Sequence, residues 1–170
     1  MATTLATVNA LGPADFVALF GDVAEHSPWV AEVAAVTRPW ADREAMISAF
    51  VTAISSASHD AQIALIRAHP DLAGRAARAG AMADESKREQ AGAGLDTLTD
   101  AEFERFTRLN DTYRAKFGFP FILAVKGATK TTILDAFEAR LPNEPAVESA
   151  EAIHQIARIV RFRLEDRVRP

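Results

Sequence analysis

Four histidines, His26, His59, His69 and His154, are the side chains of this sequence best suited to exchange a proton near neutral pH. His69 stands apart because it precedes Pro70 in His69-Pro70-Asp71-Leu72. A residue before proline is pushed out of the helical region, so His69 closes a helix at a backbone turn. There it either faces a cleft or serves as a helix-end cation. Ser86, Glu89 and Gln90 follow at i, i+3, i+4 and share one helical face, which the small Ala93 continues. That face reads as a polar triad for a ligand or as a solvated surface with Ser86 and Glu89 as a capping box. Arg163 lies three residues after Val160 and seven after Ile156, about 20° from the centre of an apolar stripe. A charge there needs a partner, either an internal carboxylate or an anionic ligand. Arg161 points outward, and Arg167 is near enough to the end to snorkel. A His, a Glu, a Gln, a Ser and an Arg together suit acid–base chemistry on a small anion.

Several chemistries are disfavoured. Cysteine is absent, which removes disulfides, a thiol nucleophile and a Cys-based zinc site. No H-x-x-x-H pair or carboxylate cluster has metal-ligand spacing, so neither a metal nor another cofactor is expected. Gly92-Ala93-Gly94 lacks the third glycine and the preceding strand of a dinucleotide fingerprint, and no G-x-S-x-G elbow occurs. Nineteen Lys and Arg against 23 Asp and Glu give a net charge of −4, which argues against nucleic acid as a partner. No apolar run approaches the ~18–20 residues needed to span a bilayer, and residues 1–13 do not read as a signal peptide. A cytoplasmic protein is the expectation.

These residues must be positioned by helices. The chain is rich in alanine, and its prolines punctuate segments rather than interrupt them. Phe16, Leu19, Phe20 and Val23 follow i, i+3, i+4, i+7; so do Ile47, Phe50, Val51 and Ile54, and Ile153, Ile156, Ala157 and Val160. Thr99-Asp100-Ala101-Glu102 is a capping-box signature. The pattern predicts about eight helices, at 13–25, 28–36, 42–57, 59–68, 84–95, 99–117, 129–141 and 146–167. The fold class is all-α, a single compact bundle over 1–170 with 1–9 as a flexible tail. Phe117 through Val125 is apolar but holds Gly118 and Pro120, and no second convincing strand exists to pair with it. It reads as a buried irregular loop whose backbone groups need partners, and a ligand is one way to supply them. Residues 75–82 are expected to be a mobile surface loop.

At these residues the sequence resembles the 2-oxo-4-hydroxy-4-carboxy-5-ureidoimidazoline (OHCU) decarboxylases of urate degradation. The matching blocks are His26 through Glu32, Ile66 through Gly74, Ser86-Lys87-Arg88-Glu89-Gln90 with Gly94-Leu95, Asn110-x-x-Tyr113, Lys116 through Phe121, and a last helix running through Arg163-Leu164. The resemblance spans roughly residues 10–168. It implies an all-helical, cofactor-free lyase, usually a homodimer, that acts on an anionic ureidoimidazoline and yields (S)-allantoin. It implies His69 as catalytic acid with Glu89 orienting it or sharing its proton. Pro70, Ser86, Gln90 and Arg163 would bind substrate, as would Phe121, Ile122, Leu123, Ala124 and Val125, chiefly through backbone groups. Two competing readings are a non-catalytic helical binding module and a helical hydrolase acting on another ureide.

Overall fold

The computed structural model describes residues 2–74 and 82–169. Among them are nine helices and one pair of two-residue strands. The order is β1 (Thr3–Thr4), α1 (Leu5–Ala10), α2 (Pro13–Phe20), α3 (Trp29–Ala35), α4 (Arg43–Ser55), α5 (His59–Ala68), α6 (Asp84–Gly92), α7 (Asp100–Phe117), α8 (Lys130–Arg140), α9 (Pro145–Arg167) and β2 (Val168–Arg169). The all-α class holds. The loop expected at 75–82 lies, but for Met82, outside the described residues. The chain forms two compact units, one of residues 1–68 with 156–170 and one of residues 69–155.

In the first unit, α2, α3 and α4 pack around Phe16, Phe20, Met46, Ile47, Phe50 and Ile54, all essentially without exposure. Phe16 stands 4.9 Å from Phe20 and 5.7 Å from Trp40, distances at which tilted aromatic pairs attract. Over residues 2–9 the expected tail is structured instead. Thr4 caps α1 through its hydroxyl, Val8 is fully buried, and the Asn9 amide exchanges two hydrogen bonds with the Trp40 backbone at 2.9 and 3.0 Å. β1 pairs in parallel with β2, Thr3 opposite Val168. The segment is too short for periodicity to reveal. The helix expected over 13–25 stops at Phe20, and the stripe is narrower than the spacing implied, since Leu19 is 44% exposed. Val23, Ala24 and Glu25 are buried in the turn that follows instead.

The second unit is organised by α7. Thr99 and Glu102 form the predicted capping box, with both bonds made, and Gly118 ends the helix at φ 75°, a left-handed value that favours glycine. Phe106, Asn110, Tyr113 and Phe117 line its buried face. Phe121 stacks on Phe137 at 3.7 Å and meets Tyr113 edge-on at 5.3 Å. These rings fix the start of the 118–125 segment, which has no regular structure, as the sequence indicates. α6 runs only to Gly92, short of the expected 95. α9 belongs to this unit up to Gln155 and to the first from Ile156 on; its buried residues are Ala152, Gln155, Ile156, Ile159 and Val160, while Ile153 is only partly covered. The stripe is therefore rotated from its expected centre, yet still includes Arg163.

Candidate active site

Within the second unit the site grows from the turn that follows α5. His69 is 5% exposed. Its Nε2 is buried and outside any hydrogen bond, while the residue has other interactions. Pro70 locks one backbone angle next to it. The next three residues are tethered at four atoms. The Ala73 N–H donates to Gln90 Oε1 at 2.9 Å, and Gln90 Nε2 donates to the Asp71 carbonyl at 3.2 Å. Asn110 Nδ2 donates to the Leu72 carbonyl at 2.8 Å, and Arg114 Nε donates to Asp71 Oδ1 at 3.0 Å. Ala73 adopts φ 51°, a conformation that costs a non-glycine residue energy and persists only where its surroundings over-determine it. A side chain at Gly74 would lie 2.7 Å from the Asp71 Cβ, so the turn closes tightly there.

α6 presents the polar triad. Ser86 and Gln90 are each 4% exposed, and Glu89 is half-buried. The capping-box alternative is ruled out by register: α6 starts at Asp84 with Ala83 as its cap, a full turn before Glu89. Gln90 is largely spent on the protein. Its two Nε2 hydrogens go to the Asp71 carbonyl and to Met82 Sδ at 3.3 Å, and Oε1 holds the Ala73 amide. One lone pair of Oε1 remains, so toward a ligand Gln90 can only accept. A cavity of about 310 Å³ adjoins Gln90, Ala73, Gly74, Leu95 and Phe103, but His69, Ser86 and Glu89 do not line it.

The apolar loop finds partners inside its own unit. The Ile122 carbonyl accepts from the Arg140 guanidinium at 2.7 Å, and the Ala124 N–H donates to Gln155 Oε1 at 3.0 Å. Phe121, Ile122, Ala124 and Val125 are buried, and Leu123 is partly exposed. Arg140 is held in turn by Glu148, which has no exposure and also accepts from the Tyr113 hydroxyl and from Asn143 Nδ2 at 2.9 Å. Burial, then the Glu148 bond, pushes the Tyr113 phenol well above its ordinary pKa.

In the first unit, Arg163 is 3% exposed and meets an internal carboxylate, Glu25 Oε2, at 2.8 Å; the same nitrogen donates to the Val23 carbonyl at 3.2 Å. Glu25 is equally buried, and Ser27 Oγ bonds the Glu25 carbonyl at 2.9 Å. Arg161 pairs with Glu44 on the exposed side, and Arg167 pairs with Asp22 rather than merely snorkelling.

Sequence reasoning missed Asn110, Arg140, Gln155 and Glu25 as partners of these residues. Asn110 and Gln155 carry a legible signal, an amide inside an apolar stripe. Arg140 and Glu25 carry none. Among the described residues no group of three or more His, Asp or Glu could hold a metal, and no helix is long and apolar enough to cross a membrane.

A family model described as OHCU decarboxylase matches residues 9–165. The chain belongs to the OHCU decarboxylase family. A relative in Haloferax volcanii, named 2-oxo-4-hydroxy-4-carboxy-5-ureidoimidazoline decarboxylase, is 43% identical over 164 residues, which cover 96% of this chain and 95% of the relative. A solved (S)-allantoin synthase structure superposes with a TM-score of 0.79 at 31% identity over 98% of this chain, which spans 54% of that longer one. A solved OHCU decarboxylase crystallised in the presence of (S)-allantoin superposes with a TM-score of 0.68 over 85% of this chain and 93% of that one. At 24% identity it bears on the fold alone.

Proposed function

We propose that this chain converts 2-oxo-4-hydroxy-4-carboxy-5-ureidoimidazoline to (S)-allantoin and carbon dioxide in urate degradation, with His69 as proton donor. The observation that carries the reading is family membership along nearly the whole chain, coupled to a buried imidazole on a tethered turn. The substrate holds its carboxylate on a ring carbon that also bears a hydroxyl. When carbon dioxide leaves, the electron pair of the broken bond forms a C=C bond to the neighbouring ureido-bearing carbon, the C=N pair of that carbon withdraws onto the ring nitrogen, and the nitrogen takes up one proton. The resulting enol passes its hydroxyl proton away as the neighbouring, ureido-bearing carbon gains a proton on one face. That face fixes the (S) configuration. His69 suits the delivery because an imidazole exchanges protons near neutral pH, and Glu89 orients it or shares its proton.

Pro70, Ser86, Gln90, Arg163 and the 121–125 segment form the proposed binding set. Gln90, limited to accepting, suits a ring or ureido N–H. Arg163 suits an oxyanion or carbonyl of the substrate. Arg140 and Gln155 already hold Ile122 and Ala124, so that loop is ordered in advance, and such orientation is a large part of rate enhancement. A homodimer in the cytoplasm completes the proposal.

The test is to generate the substrate from urate with urate oxidase and hydroxyisourate hydrolase and to follow circular dichroism. Optically active allantoin should appear faster than in the blank. Racemic product at the blank rate refutes the activity. His69→Ala should abolish turnover with the far-ultraviolet spectrum unchanged, and near-normal turnover removes His69 from the mechanism.

A further inference from the structure

Asn110 is an amide within the apolar stripe Phe106, Asn110, Tyr113, Phe117, and it is 4% exposed. Burying an amide is unfavourable unless it is hydrogen-bonded. Its orientation is settled by chemistry: the Leu72 carbonyl can only accept, so the atom 2.8 Å away must be the NH₂ nitrogen. The other amide atom, Oδ1, is then a buried acceptor with no hydrogen bond. An amide that satisfies only half of itself is poorly explained by stability, because an apolar side chain would leave no orphan acceptor of its own.

What the other half does is hold the turn. One helical turn further along α7, Arg114 grips the Asp71 carboxylate, while Gln90 from α6 grips the Asp71 carbonyl and the Ala73 amide. Leu72, between them, is held at its carbonyl by Asn110. Only Pro70, with its locked angle, separates this tethered tripeptide from His69. We infer that Asn110 is a positioning residue for the proton transfer, fixing the His69 imidazole through the Leu72 carbonyl. The inference rests on His69 being the proton donor.

Asn110→Leu keeps the shape and removes the donor. It exchanges the orphaned Oδ1 for a Leu72 carbonyl that loses its side-chain donor, so the melting temperature should shift little. A displacement of about 1 Å at the reacting group costs on the order of 100-fold in rate. The expected result is therefore a kcat lower by about 10–100-fold with KM within about threefold. Asn110→Asp supplies a second readout. Its ionised carboxylate opposes the Leu72 carbonyl, whereas its protonated form donates to it. Burial favours protonation, while the guanidinium of Arg114 opposes it and the Asp71 carboxylate supports it. The ratio of variant to wild-type kcat should rise as pH falls.

Amide hydrogen exchange tests the tether without any turnover. The Ala73 amide should exchange at least about tenfold faster in Asn110→Leu, with the α7 amides unchanged. A kcat within twofold of wild type, a loss carried by KM alone, a flat pH ratio, or unchanged exchange at Ala73 overturns the inference. If the wild-type protein makes no (S)-allantoin above the blank, the proposed activity fails, and the exchange result still decides whether Asn110 holds the turn.

Discussion

Glu148→Gln removes one charge from the centre of the second unit and should be costly. The carboxylate has no exposure and accepts from Arg140 Nε at 2.8 Å, from a second Arg140 nitrogen, from the Tyr113 hydroxyl and from Asn143 Nδ2 at 2.9 Å. Glutamine keeps one acceptor oxygen and turns the other position into a donor, so at least one of these donors is left facing an NH₂ group. Arg140, 9% exposed, also loses its counter-charge. Breaking a buried pair from one side costs about 3–5 kcal/mol. A 170-residue chain unfolds with an entropy of roughly 0.36 kcal/mol/K at about 2.1 cal/mol/K per residue, so Tm should fall by about 8–14 °C. Calorimetry and urea titration of the wild type, Glu148→Gln and the volume-matched pair Arg140→Met/Glu148→Leu measure this. The pair should recover part of the stability: apolar replacement of a buried ion pair is often neutral or better, but the Tyr113 hydroxyl and the Ile122 carbonyl lose their partners. It should not recover turnover, because the Ile122 carbonyl still lacks its Arg140 donor. A Tm shift under about 3 °C for Glu148→Gln, equivalent to about 1 kcal/mol, would refute the claim that Arg140 depends on this carboxylate.

Two further outcomes follow from ionisation. Tyr113 is the sole tyrosine of the chain, so absorbance at 295 nm reports it alone. Burial and Glu148 raise its pKa, so the neutral phenol belongs to the fold; its contribution is complete below about pH 10 and declines as pH rises past the unfolded value. The phenolate signal should appear only together with loss of the circular dichroism signal, and a step near pH 10 in intact protein contradicts the burial argument. Asp22 is held below the usual carboxylate range mainly by its hydrogen bond from Arg167, against an opposing effect of burial. Its contribution is present above about pH 4 and fades as pH falls through the lowered value. Because its side chain is 71% exposed, Asp22→Asn should change Tm at pH 7 by only a few degrees while flattening the Tm profile below pH 4; an unaltered acid slope speaks against the pairing.

Much of this was legible in the residues, and the exceptions share a cause. α7 is bounded by local signals at both ends, the Thr99–Glu102 box and Gly118, and its limits agree with the sequence to within one residue. α2 ends five residues before its expected limit because Val23 through Glu25 look helical in isolation. Their burial depends on a partner 138 positions away, Arg163, which no local pattern encodes. The inward direction of Arg163 could be read from helical periodicity; the choice between carboxylate and ligand could not. The loop at 118–125 was recognisable from its glycine and proline, but its supports, Arg140 and Gln155, come from distant helices. Asn110 was visible as a residue on the inner face of α7, and its grip on Leu72 emerges only in three dimensions.

The division of the chain has a consequence for synthesis. Residues 69–155 form an unbroken stretch, whereas the other unit needs both 1–68 and 156–170. A ribosome delivers the N-terminal part first, and domains ordinarily fold in that order. Here the inserted unit is complete while the outer one still lacks its final segment. That segment brings Arg161 to Glu44, Arg163 to Glu25, Arg167 to Asp22 and Val168 to Thr3, closures that span over one hundred residues each. The Asp71–Ala73 turn and the apolar loop both lie in the unbroken stretch, and the buried arginine proposed to meet the anion is synthesised after them. A truncated product would carry the imidazole without that arginine.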